Sequence, residues 1–207
     1  MAPPRVKICG LTRRGDVAAA VEAGAWAVGC VLWPGSARAV TPAQARVLMQ
    51  DVPPHVKRVG VVVDASVADA RAWCETAGLT TIQLHGDEDA APFLAAGLDV
   101  IKAVSLESDA DLARAAALPA EVLVLVDAAD PVQRGGTGQR ADWPRAAALA
   151  ARRPVLLAGG IRPGNIGGAV AAVAPWGVDV SSGVESAPGL KDAALITALF
   201  TNVKAPV

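Results

Sequence analysis

The chain is poor in the residues that build metal centres and disulfide frameworks. It has only two histidines, His55 and His85, and three cysteines, Cys9, Cys30 and Cys74. Neither set has metal-ligand spacing, so a zinc site would have to draw on carboxylates. An odd cysteine count without framework spacing fits a reducing, cytoplasmic setting better than a secreted one. No apolar run reaches the ~18 residues of a membrane span. The opening Met-Ala-Pro-Pro-Arg runs straight into a strand pattern and offers no signal-peptide core. Positive charge never gathers into a run, and the formal net charge is −1. Nucleic acid and anionic membrane therefore find no electrostatic hold, and an anionic small molecule has to be gripped by a local pocket.

What is present is apolar and regularly punctuated. Hydrophobic residues make up 53% and charged residues 19% of 207 positions, which excludes disorder and allows a substantial core in one domain spanning 1–207. Short apolar runs near 5–9, 26–32, 57–63, 80–84, 99–104, 121–126, 154–158 and 177–181 alternate with alanine-rich, helix-like stretches. Runs such as Val59-Gly60-Val61-Val62-Val63 and Val122-Leu123-Val124-Leu125-Val126 suit parallel strands covered on both faces. Thr41 before Pro42, and Ser66 three residues before Asp69, read as helix starts. Gly24, Gly78 and Gly97 read as left-handed helix stops. The stretch 164–174 is the weakest helix because Gly164, Gly167 and Gly168 dilute it.

Eight such units at a spacing of about 25 residues point to a closed (β/α)8 TIM barrel of eight parallel strands with surrounding helices. No glycine fingerprint follows the first strand, which counts against an open dinucleotide-binding sheet. The length lies near the short end for such barrels, so loops must be short. Active sites of this fold sit at the C-terminal ends of the strands. The polar residues there are Cys9, Arg38 in the loop after the second strand, Asp64, His85, Asp127 and the pair Ser181-Ser182.

Five segments at those ends carry a resemblance. They are Lys7-Ile8-Cys9-Gly10-Leu11-Thr12, Gln83-Leu84-His85-Gly86-Asp87-Glu88, Gly135-Gly136-Thr137-Gly138, Ala158-Gly159-Gly160 and Asp179-Val180-Ser181-Ser182-Gly183-Val184-Glu185. Each alone is weak, but they are collinear and cover nearly the whole chain. Together they resemble the phosphoribosylanthranilate isomerases, enzymes of tryptophan biosynthesis. The resemblance implies an Amadori rearrangement of N-(5′-phosphoribosyl)anthranilate, with no cofactor and no metal. Such a reaction needs an acid near the furanose oxygen, a base near the C2′ proton, and grips for a carboxylate and a phosphate.

Residue by residue, Cys9 matches the family's general base and Asp127 its general acid. A free thiol titrates near ~8.5, so Cys9 needs help toward thiolate. Lys7, on the same strand face, supplies part of it or else pairs a carboxylate deeper in the barrel. Asp127 needs a raised pKa, from desolvation or from the substrate's own negative charge. Arg38 matches the arginine of the anthranilate carboxylate, a task suited to a guanidinium fork. Trp33 and Ala39 depart from the family's usual residues around it. Gly159, Gly160, Ser181, Ser182 and Gly183 are expected to cradle the phosphate, as loops after the last two strands do in this fold. Asp179 belongs to the same segment and would repel phosphate unless paired. His85 either touches substrate or supports the pocket floor. Gly135 to Gly138 read as a lid over the ligand. A monomer and a homodimer are both compatible with the sequence.

Other readings compete. A pentose-phosphate epimerase would want metal-binding histidines at strand ends, where this chain has one. An indole-glycerol-phosphate synthase would want a catalytic lysine, for which Lys102 is the candidate. A catalytically silent barrel that binds phosphorylated ligands is the rival from another class.

Overall fold

The computed structural model describes residues 4–127 and 142–204. Eight parallel strands close into a barrel in sequential order. They are β1 (Arg5–Ile8), β2 (Ala27–Val31), β3 (Lys57–Val62), β4 (Thr81–Leu84), β5 (Val100–Val104), β6 (Leu123–Val126), β7 (Val155–Leu157) and β8 (Gly177–Val180). Each lies inside its expected apolar run, shortened by one or two residues at its ends.

Between and after them run α1 (Arg14–Ala23), α2 (Pro42–Met49), α3 (Val67–Ala77), α4 (Ala91–Ala95), α5 (Asp109–Ala117), α6 (Trp143–Ala150), α7 (Ile166–Val173) and α8 (Ala193–Lys204). Their ends follow local chemistry. Thr41 and Gln44 form a reciprocal capping box at α2, with Pro42 as its first residue. The Ser66 side chain accepts from the Asp69 backbone N–H at α3. Gly24 and Gly78 close α1 and α3 in the left-handed conformation. The glycine-diluted α7 does form, because Ile166, Ala169 and Val173 bury one face of it. Packing overrides the low propensity there.

Residues paired in register share a face, and this sorts each strand into two sides. Ala27, Val59, Ile101, Leu125, Leu156 and Ala158 make a buried cluster inside the ring. The outward set, including Val28, Ile82, Leu84, Val124 and Leu157, joins the helices in the larger core. At the N-terminal end Trp26 and Trp176 meet edge to face at 5.0 Å, with the Arg5 guanidinium 4.4 Å over the Trp176 ring. That end is a stabilising plug.

After β8 the chain makes a 3₁₀ turn (Ser182–Val184) and a small antiparallel hairpin, β9 (Glu185–Ala187) with β10 (Leu190–Lys191). Pro188-Gly189 forms its turn, with Gly189 at φ 79°. Asp16 accepts from the Lys191 backbone N–H, and Arg13 donates to the Lys191 carbonyl, so α1 holds the hairpin against the barrel mouth.

Candidate active site

Three polar groupings meet the C-terminal rim of the barrel. The first lies between β1 and β8, whose register sets Lys7 beside Asp179. The Lys7 Nζ donates to Asp179 Oδ1 at 2.9 Å, and Lys7 is wholly buried. Burial alone would lower the Lys7 ammonium, but the attraction of Asp179 and Cys9 outweighs it and raises its pKa above the ordinary value. Cys9 sits one residue past β1, two beyond Lys7, and is also buried. Burial pushes the Cys9 thiol up, and Asp179 adds to that. Lys7 pulls it down, but burial outweighs that pull. Both sequence alternatives for Lys7 thus hold together: it pairs a carboxylate and it assists the thiol. The carboxylate that the sequence placed near phosphate is neutralised by this lysine.

The second grouping joins the loop after β2 to the hairpin after β8. Arg38 donates from Nε to Glu185 Oε1 at 2.9 Å and from Nη2 to Oε2 at 2.7 Å. Lys191 Nζ donates to the same Glu185 Oε1 at 2.7 Å, to the Ser181 carbonyl at 3.0 Å and to its hydroxyl at 3.3 Å. Burial would raise the Glu185 carboxyl, yet the hydrogen bonds from Arg38 and Lys191 outweigh it and hold it below the usual carboxylate range. Arg38 crosses directly over Gly10, where an added Cβ would lie 2.6 Å from Arg38 Cδ and 2.8 Å from Ser181 Oγ. Glycine at that position brings Arg38 and Ser181 against the end of β1.

The loops after β7 and β8 complete this side. Gly159 and Gly160 have φ of 81° and 64°, consecutive left-handed residues that turn the chain sharply. Asn165 pins the turn by donating to the Gly160 carbonyl and accepting from the Arg162 backbone N–H, both at 2.8 Å. A Cβ on Gly183 would lie 1.9 Å from the Ile161 carbonyl oxygen. Glycine there lets the two loops touch, so Gly183 shapes the cradle through packing. Ser182 opens the 3₁₀ turn.

The third grouping lies at β4 and β6. His85 Nε2 stands 3.6 Å from Asp127 Oδ2, and His85 Nδ1 stands 3.0 Å from Gln83 Nε2. The Gln83 amide therefore holds one edge of the imidazole while the other faces Asp127. Thr81 Oγ1 and Gln83 Oε1 are buried without a protein partner, so this side of the lumen is less saturated than the β1–β8 side. Asp64, beside it, holds an uncommon φ of 52° and accepts from the Asp87 backbone N–H.

Lys102 is turned away from all three. It pairs in register with Leu84 and Val124, which face the helices, and it anchors Gly86 and Glu88 from outside the ring. It therefore does not supply the lumen lysine that a synthase reading needs. Among the described residues, no three His, Cys, Asp or Glu side chains converge as a metal site. The expected lid, Gly135 to Gly138, lies outside the described residues. Sequence reasoning missed Lys191 and Asn165 and gave Glu185 no role. Only the Pro188-Gly189 turn signal hinted at the hairpin that brings Lys191 in.

Residues 6–202 match the family described as N-(5′-phosphoribosyl)anthranilate (PRA) isomerase. The N-(5′-phosphoribosyl)anthranilate isomerase of Thiobacillus denitrificans is 44% identical over 202 residues, covering 97% of this chain and 98% of that protein. A solved phosphoribosyl anthranilate isomerase in complex with reduced 1-(o-carboxyphenylamino)-1-deoxyribulose 5-phosphate superposes with a TM-score of 0.85. It is 37% identical, over 97% of this chain and 98% of that one. Monomers generated from the dimeric isomerase of Thermotoga maritima superpose at 0.86 with 35% identity, over 97% and 98% of the two chains.

Proposed function

This chain belongs to the N-(5′-phosphoribosyl)anthranilate isomerase family, and from that premise we propose that Cys9 and Asp127 divide the proton transfers of its reaction. The enzyme is an isomerase of tryptophan biosynthesis. Its reaction converts N-(5′-phosphoribosyl)anthranilate to 1-(2-carboxyphenylamino)-1-deoxyribulose 5-phosphate. Asp127 gives a proton to the furanose oxygen as the C1′–O bond breaks and the anilino nitrogen supplies electrons to C1′. Cys9 then takes the C2′ proton, and the C2′–H electrons form the C1′–C2′ double bond. The enolamine gains a proton at C1′ and loses one from the C2′ hydroxyl, which leaves the ketone. Each general acid–base group of this kind contributes about 10²–10⁴-fold.

The observation that carries the assignment is the pairing of each group with its own partner at the rim. Cys9 follows β1 beside the Lys7–Asp179 pair, and Asp127 follows β6 beside His85. Burial leaves the resting Cys9 as a thiol, so the reactive thiolate is a minor form whose share rises with pH. We further assign Arg38 to the anthranilate carboxylate and Gly159, Gly160, Ser181, Ser182 and Gly183 to the phosphate. Asp179 and His85 hold the base and the acid. The barrel acts as one catalytic unit without a cofactor, as monomer or homodimer, the latter like the dimeric Thermotoga maritima relative. Three free cysteines suit a cytoplasmic setting, and no helix among the described residues is long and apolar enough to cross a membrane.

The test is loss of the substrate's anthranilate fluorescence on adding the purified chain. Turnover is expected in wild type, with a collapse in Cys9→Ser and in Asp127→Asn. No turnover by wild type beside an active control isomerase would leave a silent binding barrel as the better reading.

A further inference from the structure

The mouth of the barrel buries two cations against one anion. Arg38, Lys191 and Glu185 form a contiguous group whose side chains are 14%, 0% and 5% exposed. A buried surplus of positive charge is costly unless an anion completes it. Lys191 is saturated, since Glu185 and both oxygens of Ser181 accept its N–H bonds. Arg38 is not. Glu185 occupies its Nε/Nη2 edge in the bidentate manner, and Arg38 has no further partner among the described residues. What remains is the outer fork of Nη1 and the second Nη2 hydrogen, which is itself a two-pronged match for a carboxylate.

We propose that Glu185 is the positioning residue for carboxylate recognition, and that it stays on Arg38 when substrate binds, held there by Lys191. Arg38 alone, on a long side chain, would sample many directions over Gly10. Glu185 fixes the plane of the guanidinium, and the Gly189 backbone N–H, donating to Oε1 at 3.2 Å, fixes Glu185 in turn. Lys191 also settles the charge. Without it the Arg38–Glu185 pair would be neutral and would present a second carboxylate with a negative neighbour. With it the group carries one net positive charge, the complement of one incoming carboxylate. The inference rests on the assignment of Arg38 to the anthranilate carboxylate.

Two ligands separate orientation from bare charge: reduced 1-(o-carboxyphenylamino)-1-deoxyribulose 5-phosphate and its phenylamino counterpart without the carboxyl group. The ratio of their affinities measures recognition of the carboxylate alone. Removing the anion by Glu185→Gln makes the mouth more positive, so a purely electrostatic role for Glu185 would increase that ratio. Positioning requires the opposite, a decrease of roughly tenfold or more, the scale of a charged hydrogen bond. Glu185→Asp keeps the charge but shortens the reach, and it is expected to lose preference as well. A structural role alone would lower both affinities together and leave the ratio unchanged.

An increased or unchanged ratio in either variant overturns the proposal. Arg38→Ala serves as the reference, because an unchanged ratio there removes the Arg38 assignment itself. If the Glu185 variants do not fold, the wild-type protein still decides the matter by NMR. The Arg38 Nε–H should remain protected from solvent exchange when the carboxylated ligand binds. Its loss of protection would mean that Glu185 has left, and would overturn the proposal.

Discussion

The two ends of the barrel are built on opposite plans. At the N-terminal end, Trp26, Trp176 and Arg5 close the lumen with two rings packed edge to face and one cation. At the C-terminal end β1 and β8 carry Lys7, Cys9 and Asp179 two to four residues further on, and β4 and β6 lead into His85 and Asp127. Burial serves stability in the first case. In the second it holds charges in fixed positions, and Gln83 Oε1 and Thr81 Oγ1 stay unpartnered in the lumen below. One closed sheet can do both because inward-facing positions recur every second residue, so stability and chemistry occupy successive layers.

The comparison breaks most visibly at Cys9. Cys9→Ser should lower kcat by about 10²–10⁴-fold while melting within a few degrees of wild type, and near-normal turnover would remove Cys9 from the mechanism. Lys7 tests whether the chemical end also carries stability. Lys7→Met leaves Asp179 buried without its partner, and urea unfolding should show a loss of about 3–5 kcal/mol. At the other end, Trp176→Ala should cost about 3 kcal/mol in the same assay, with kcat at 25 °C little changed. A kcat that fell with it would show that the plug reaches the active layer. Arg38→Ala should raise KM roughly tenfold or more, measured where chemistry is slow enough for KM to report binding.

The smallest effect is the shape of the pH profile. The Cys9 pKa is raised by burial, so below it the thiolate share grows about tenfold per unit of pH. kcat/KM should therefore climb from neutral into the alkaline range. A profile flat from pH 6 to 9 would contradict a buried thiol as base.

The strands were legible because parallel strands buried on both faces read as short continuous apolar runs, and the boundaries Thr41, Ser66, Gly24 and Gly78 declare themselves locally. Cys9 and Asp127, the proposed base and acid, stand out in the sequence by strand-end position and resemblance. Pairing between distant segments was not. Arg38 and Glu185 lie 147 residues apart in sequence, and the meeting depends on a hairpin whose seven residues, Glu-Ser-Ala-Pro-Gly-Leu-Lys, show little alternation. Lys191 in particular looks like an ordinary solvated lysine until the hairpin folds it under Ser181. The protonation state of Cys9 was likewise hidden, since it depends first on how deeply the closed barrel buries the thiol and then on the opposed charges of Lys7 and Asp179.

The division of labour between Cys9 and Asp127 is tested most directly by single-turnover kinetics with substrate deuterated at C2′. If Cys9 removes that proton, Cys9→Ser should make C–H cleavage the sole slow step and enlarge the isotope effect. Asp127→Asn should make ring opening slow and shrink it. Equal isotope effects in the two variants, or the reverse order, would contradict the assignment of base and acid.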